Sequence, residues 1–155
     1  MQQSALQGLY FGLTEGTVTT MGIIIGMLAS MPVKKAIISA VVSATLSDSF
    51  GDGIGLYYSE KARKGKETLK VITNMVTWKL LVSFLYLVPI FLLNNLKIAI
   101  ICSSTLALLV IAKSFHYLAE EQEKGVDPKE FILKNTVMVA FVIFCTYQVV
   151  RIIGH

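Results

Sequence analysis

An all-α, polytopic membrane protein with five transmembrane helices is the fold class this sequence predicts, and three observations predict it. Hydrophobic residues make up 54% of the chain and charged residues only 15%, against about 25% charged in an ordinary soluble domain. The apolar residues fall in blocks of about 20 or more, the length that crosses a hydrocarbon core roughly 30 Å thick. Short polar linkers separate the blocks and leave no room for a soluble domain, so residues 1–155 are expected to form a single transmembrane domain.

The first expected span covers residues 6–30 and ends at Met31-Pro32, because proline cannot continue a helix and restricts the residue before it. The second covers 35–58 and is followed by the charged segment from Glu60 to Lys70. The third covers 71–93 and stops at Asn94-Asn95. The fourth covers 98–118 and stops at the acidic segment from Glu120 to Glu130, which contains Gly125 and Pro128. The fifth covers 131–153. The N-terminus lacks the basic region of a secretory signal peptide, so the first block is expected to remain as a span.

Five spans put the termini on opposite sides of the membrane. Lys61, Arg63, Lys64, Lys66, Lys70, Lys124 and Lys129 fall on one side, and Lys34, Lys35, Lys97 and Arg151 on the other. The excess of Lys and Arg marks the first side as cytoplasmic, which places the N-terminus there. Lys34 and Lys35 run against this assignment. Small size and minimal loops suit a prokaryotic cell membrane. The formal charge of +4 is a topology signal rather than a nucleic-acid surface, since no long basic face or nucleic-acid motif is present. Cys102 and Cys145 stand alone in apolar stretches, which gives neither a disulfide framework nor a zinc site.

Lys79 fits the third span least well. It either snorkels to the surface or lies on a helix that begins in water, and the nearby Thr73, Asn74 and Thr77 favour the second arrangement.

Three carboxylates, Glu15, Asp48 and Asp52, lie inside the first two spans. At 3.6 residues per turn, Gly8, Glu15, Thr19, Gly22 and Gly26 share one stripe of the first span. Thr45, Asp48, Asp52, Gly55 and Ser59 share one stripe of the second. The spacings Gly8/Gly12/Gly16, Gly22/Gly26 and Gly51/Gly55 let membrane helices approach closely, so spans one and two are expected to pack on each other. An Asp at the centre of a membrane helix costs roughly 2.5–3.5 kcal/mol on the insertion scale. Three acids facing lipid would therefore be expensive, and they must face one another, water or a cation. Glu15 and Asp48 each lie about ten residues from the cytoplasmic end, with Asp52 one turn, roughly 6 Å, nearer to it. The three can therefore converge.

Carboxylates are hard oxygen ligands suited to divalent cations such as Mg²⁺, Ca²⁺ and Mn²⁺. Clustered in a low dielectric without metal, they repel one another until some protonate. The same groups then hold either a cation or protons, a physical basis for metal/H⁺ antiport. The competing structural role needs basic partners, and Lys79, Lys113 and Lys134 could serve Asp52 but hardly all three acids.

The run Gly12-Leu13-Thr14-Glu15-Gly16-Thr17-Val18-Thr19-Thr20, continuing to Gly26, resembles the first-span GLxDGxVT-type motif of the vacuolar iron transporter family, with Glu15 in place of that motif's Asp. The run from Asp48 to Glu60 is similar to the family's ADxxSMxxGEYxSxxxE segment, matched at Asp48, Gly55, Tyr57 and Ser59, with Glu60 as an acid three residues ahead of the motif's last one. The resemblance covers roughly a third of the chain in detail, and the five-span plan covers the rest. It implies a homodimer whose pore lies at the subunit interface, lined by spans one and two. It also implies export of Fe²⁺ or related divalent ions from the cytoplasm in exchange for protons, with the metal as substrate and no resident cofactor. Three departures stand out. Asp52 takes the place of the motif's Met, Leu56 takes the acidic position before Tyr57, and the long cytoplasmic metal-binding insertion is absent. A hard anion in place of a thioether implies a shift toward Mn²⁺ and other hard cations.

Thr19, Ser59, Glu60, Met21 and His116 are secondary candidates for the metal or proton pathway; Met21 is otherwise a packing residue and His116 an interfacial one. Two enzyme readings compete. Asp48-xxx-Asp52 also resembles the DxxxD site of CDP-alcohol phosphotransferases, but the DGxxAR segment those enzymes need is missing. Gly51-Asp52-Gly53 is not the GxGD motif of intramembrane proteases. A non-enzymatic carrier is the expectation, and a non-transporting structural membrane protein is the remaining alternative.

Overall fold

The computed structural model describes residues 3–28, 33–63, 67–122 and 128–153. They form five helices: α1 (Gln3–Leu28), α2 (Lys34–Ala62), α3 (Thr68–Leu92), α4 (Leu96–Gln122) and α5 (Pro128–Ile153). Several helices run past the expected span ends, α2 by one turn. Hydropathy falls where a helix meets water, but backbone hydrogen bonding does not stop there.

Four helices contain stretches long and apolar enough to cross a membrane: Ala5–Leu28, Thr68–Leu92, Leu96–Tyr117 and Thr136–Ile153. These four make the protein membrane-embedded. The fifth expected span, α2, does not reach that hydropathy, because serines, glycines and charged residues interrupt it. Its 29 residues nevertheless give it a length of about 43 Å. The outward faces of the apolar helices carry Leu81, Phe84, Leu85, Val88, Ile101, Leu108, Phe141 and Phe144, all exposed, the surface a hydrocarbon solvent requires.

Local chemistry explains the helix ends. Asn95 caps α4, its Oδ1 accepting from the amides of Lys97 at 3.1 Å and Ile98 at 3.3 Å, donors that the helix itself leaves orphaned. At the other side of the same turn, the Lys34 ammonium donates to the carbonyls of Phe91 at 2.8 Å and Leu93 at 3.3 Å. A cation on the last carbonyls of a helix also complements its dipole. Lys34 is thus held by α3, which accounts for a lysine on the less basic side.

α3 is the central helix. Its buried face runs Val71, Met75, Lys79, Val82, Ser83, Tyr86, Leu87 and Ile90 and packs into a core with Leu13, Met21 and Ile24 of α1 and Ile37 and Val41 of α2. A methyl group added to Gly8 would overlap the carbonyl oxygen of Val71, and one added to Gly12 that of Met75. Contacts advance together along both chains, so α1 and α3 run parallel. Asp52 meets Lys79, and Lys34 meets Phe91, so α2 runs antiparallel beside α3.

The glycine ridge of α1 therefore seats on α3, not chiefly on α2 as its spacing suggested. Gly22 and Gly26 face Thr146 and Val150 of α5, and Gly53 faces Ile72 and Val76 of α3. Nothing lies within 4 Å of a side chain built at Gly51 or Gly55. Small-residue spacing permits close approach without naming the partner; here α3 supplies the complementary ridge. Replacing Gly12 by leucine is expected to cost about 1–3 kcal/mol or more by overpacking against backbone, measured as a lower unfolding temperature in detergent.

Candidate functional site

Lys79 organises the site. Its side chain is 0% exposed, and Nζ lies 2.5 Å from Oδ2 of Asp52, whose side chain is 29% exposed. The reading in which Lys79 snorkels to the surface is thus corrected: its ammonium turns inward to Asp52. The backbone of Lys79 passes directly beneath Gly12 and Gly16 of α1, where missing side chains let the two helices touch. This contact sets Lys79, Asp52 and the Gly12–Gly16 turn, which carries Glu15, at one depth.

Above this level α3 presents a polar ladder to α1. Thr20 donates to Ser83 Oγ at 2.7 Å, and Thr17 Oγ1 and Tyr86 OH lie 2.9 Å apart. Thr17 also donates to the Leu13 carbonyl at 2.7 Å, and Ser103 of α4 donates to the Tyr86 carbonyl at 2.7 Å. Sequence reasoning missed this ladder. Its signal was present: Lys79, Ser83 and Tyr86 are spaced by four and three residues, one helix face. Pairing these hydroxyls inside an apolar bundle avoids the cost of orphaned donors and acceptors along the ladder.

Glu15 and Asp48 are different. Both are half-buried, and neither makes a hydrogen bond or ion pair among the described residues. Thr19 is half-buried on the same α1 stripe as Glu15. On α2, the buried Thr45 Oγ1, one turn from Asp48, lacks a hydrogen-bond partner among the described residues. Among those residues, no group of three or more His, Cys, Asp or Glu side chains is close enough to hold a metal ion. Glu15, Asp48 and Asp52 thus share a zone of the bundle without forming a ligand cluster within one chain, and Asp52 is committed to Lys79.

The secondary candidates disperse. Glu60 is buried, accepts from Gln7 Nε2 at 3.1 Å and lies 4.0 Å from Arg63, which ties the end of α2 to the start of α1. It stands about 18 Å along the helix from Asp48. Ser59 is exposed. Met21 is buried and lines an apolar cavity of about 300 Å³ between α1, α4 and α5. His116 lines a separate groove with Leu9, Tyr10, Leu13, Lys113, Ser114 and Tyr117. The side chain of Lys134 lies outside the described residues.

In chemical terms, α1 and α2 offer one carboxylate compensated by Lys79 and two without a partner among the described residues. No protein-family model, curated protein or solved structure matches this chain.

Proposed function

We propose that this protein is a carrier of divalent cations of the Fe²⁺/Mn²⁺ class, exchanging metal for protons across a membrane that α2 spans as a fifth helix. The observation that carries the reading is the pair Glu15 and Asp48, two half-buried acids with no hydrogen-bond or ion-pair partner among the described residues. An uncompensated carboxylate within a membrane helix is expensive, and such groups mark ion or proton pathways. Their hard oxygens suit a divalent cation, and protons neutralise them when the ion leaves.

Two acids from one chain make a thin coordination sphere, and a second copy would supply the rest. The outer face of α2 supports this arrangement: Phe50, Ile54 and Tyr58 are exposed around Gly51 and Gly55, which no side chain covers. A homodimer joined here would bring the acid-bearing helices of both copies around one pathway. Gly51→Leu is expected to leave the subunit folded but shift the protein from dimer to monomer, read by light scattering in detergent; an unchanged dimer would remove this interface.

The Lys and Arg excess places the α2–α3 and α4–α5 connections, and hence the N-terminus, on the cytoplasmic side, and export of metal is the direction proposed. The test is metal flux into proteoliposomes with a panel of divalent ions and an imposed pH gradient. Saturable flux that rises with the gradient is expected. Absence of flux for every ion would overturn the carrier, and flux indifferent to the gradient would overturn the proton coupling.

A further inference from the structure

We propose a second site: the groove between α1 and α4 binds the phosphate headgroup of an anionic membrane phospholipid. The groove encloses about 420 Å³ and has two unlike walls. Leu9 and Leu13 of α1 form an apolar wall. Lys113, His116 and Tyr117 of α4, all exposed, form a polar wall rich in donors, and Tyr10 closes one side. Ser114 contributes only an acceptor, since its hydroxyl donates to the Val110 carbonyl at 2.7 Å.

Charge complementarity identifies the occupant. Among the described residues that line the groove none is acidic, and Lys113 makes no ion pair among the described residues. This leaves a positive wall unsuited to a metal cation. An ammonium and a phenol at the rim fit phosphate oxygens, and the leucine wall fits the start of an acyl chain.

Depth points the same way. Tyr117 is the last residue of the apolar stretch Leu96–Tyr117, and Leu9 lies one turn past the start of Ala5–Leu28. The groove therefore opens at the membrane–water boundary, where headgroups reside. It also opens at the end of the bundle that carries Lys61, Arg63 and Lys70. That is the end expected to face the anionic leaflet, where each basic residue strengthens lipid attraction.

The intact protein, purified in detergent, would be titrated with phosphatidylglycerol, phosphatidylcholine or inorganic phosphate, and retained lipid counted by native mass spectrometry. The expected result is a preference for phosphatidylglycerol over phosphatidylcholine that falls about fivefold in Lys113→Gln. Lys97→Gln, at the opposite end of α4, is expected to leave the preference unchanged. Tyr117→Phe, which keeps the ring, provides a second variant and is expected to weaken it. Three results would overturn the site: no headgroup preference, a preference that survives both Lys113→Gln and Tyr117→Phe, or displacement of the lipid by inorganic phosphate, which would make free phosphate the ligand.

Discussion

Replacing Asp52 by asparagine is expected to destabilise the protein by about 3–5 kcal/mol, the cost of leaving one member of a buried ion pair alone. The fall in Tm should be on the order of 10 °C. The reason lies in the inequality of the two partners. Lys79 is 0% exposed, whereas Asp52 retains 29%. Losing Asp52 strands a fully buried ammonium between α2 and α3 without its counter-charge. Lys79→Met should cost less, because a partly exposed carboxylate can turn toward another partner and methionine fills the vacated volume with apolar atoms. The double variant Asp52→Asn/Lys79→Met should recover most of the loss, since a matched apolar replacement of a buried pair is often neutral. Thermal unfolding of the three variants in detergent checks the order. Equal losses that simply add would show that the two charges do not interact.

Neutralising Glu15 and Asp48 should do the opposite: stability holds or rises while function is lost. Neither acid has a partner among the described residues, so Glu15→Gln and Asp48→Asn remove an insertion cost of roughly 2.5–3.5 kcal/mol per group at most and break no bond there. If each carboxylate coordinates the ion, each substitution should cut metal flux about tenfold or more, equivalent to 1.4 kcal/mol or more of lost binding. A stabilised but inactive variant separates an ion ligand from a structural acid. Should either substitution instead lower Tm like Asp52→Asn, that acid has a structural partner, and the purely structural alternative gains ground.

The contrast bears on ion selectivity. The substitution of an acid for the family motif's methionine argued for harder cations, but Lys79 holds that acid. The ammonium neutralises Asp52 in the resting bundle, leaving Glu15 and Asp48 as the uncompensated charges. Asp52 can then join an ion only in competition with Lys79.

Helix number and order could be read from the chain because apolar blocks of membrane length admit few arrangements. Asn94-Asn95 was legible as the break between two spans, but the capping role of Asn95 appeared only with the folded turn. The partner of each helix could not be read in this way. Gly8, Gly12 and Gly16 revealed a face without revealing that Met75 and Lys79 would lie against it. The pairing of Asp52 with a lysine on the neighbouring helix depends on the rotation of both helices about their axes, which spacing along one helix leaves undetermined. Glu15 and Asp48 stood out from sequence because a charge inside an apolar block is costly wherever it points. Their lack of a partner became visible only once the surrounding helices were in place.

The most direct measurement is Mn²⁺ binding to the detergent-purified protein, followed by titration calorimetry and electron paramagnetic resonance. The expected result is saturable binding that competes with acid and disappears in Glu15→Gln/Asp48→Asn while the variant stays folded. Binding of equal strength in that double variant, or none in the unmodified protein for any divalent ion, would contradict a cation site built on these two side chains.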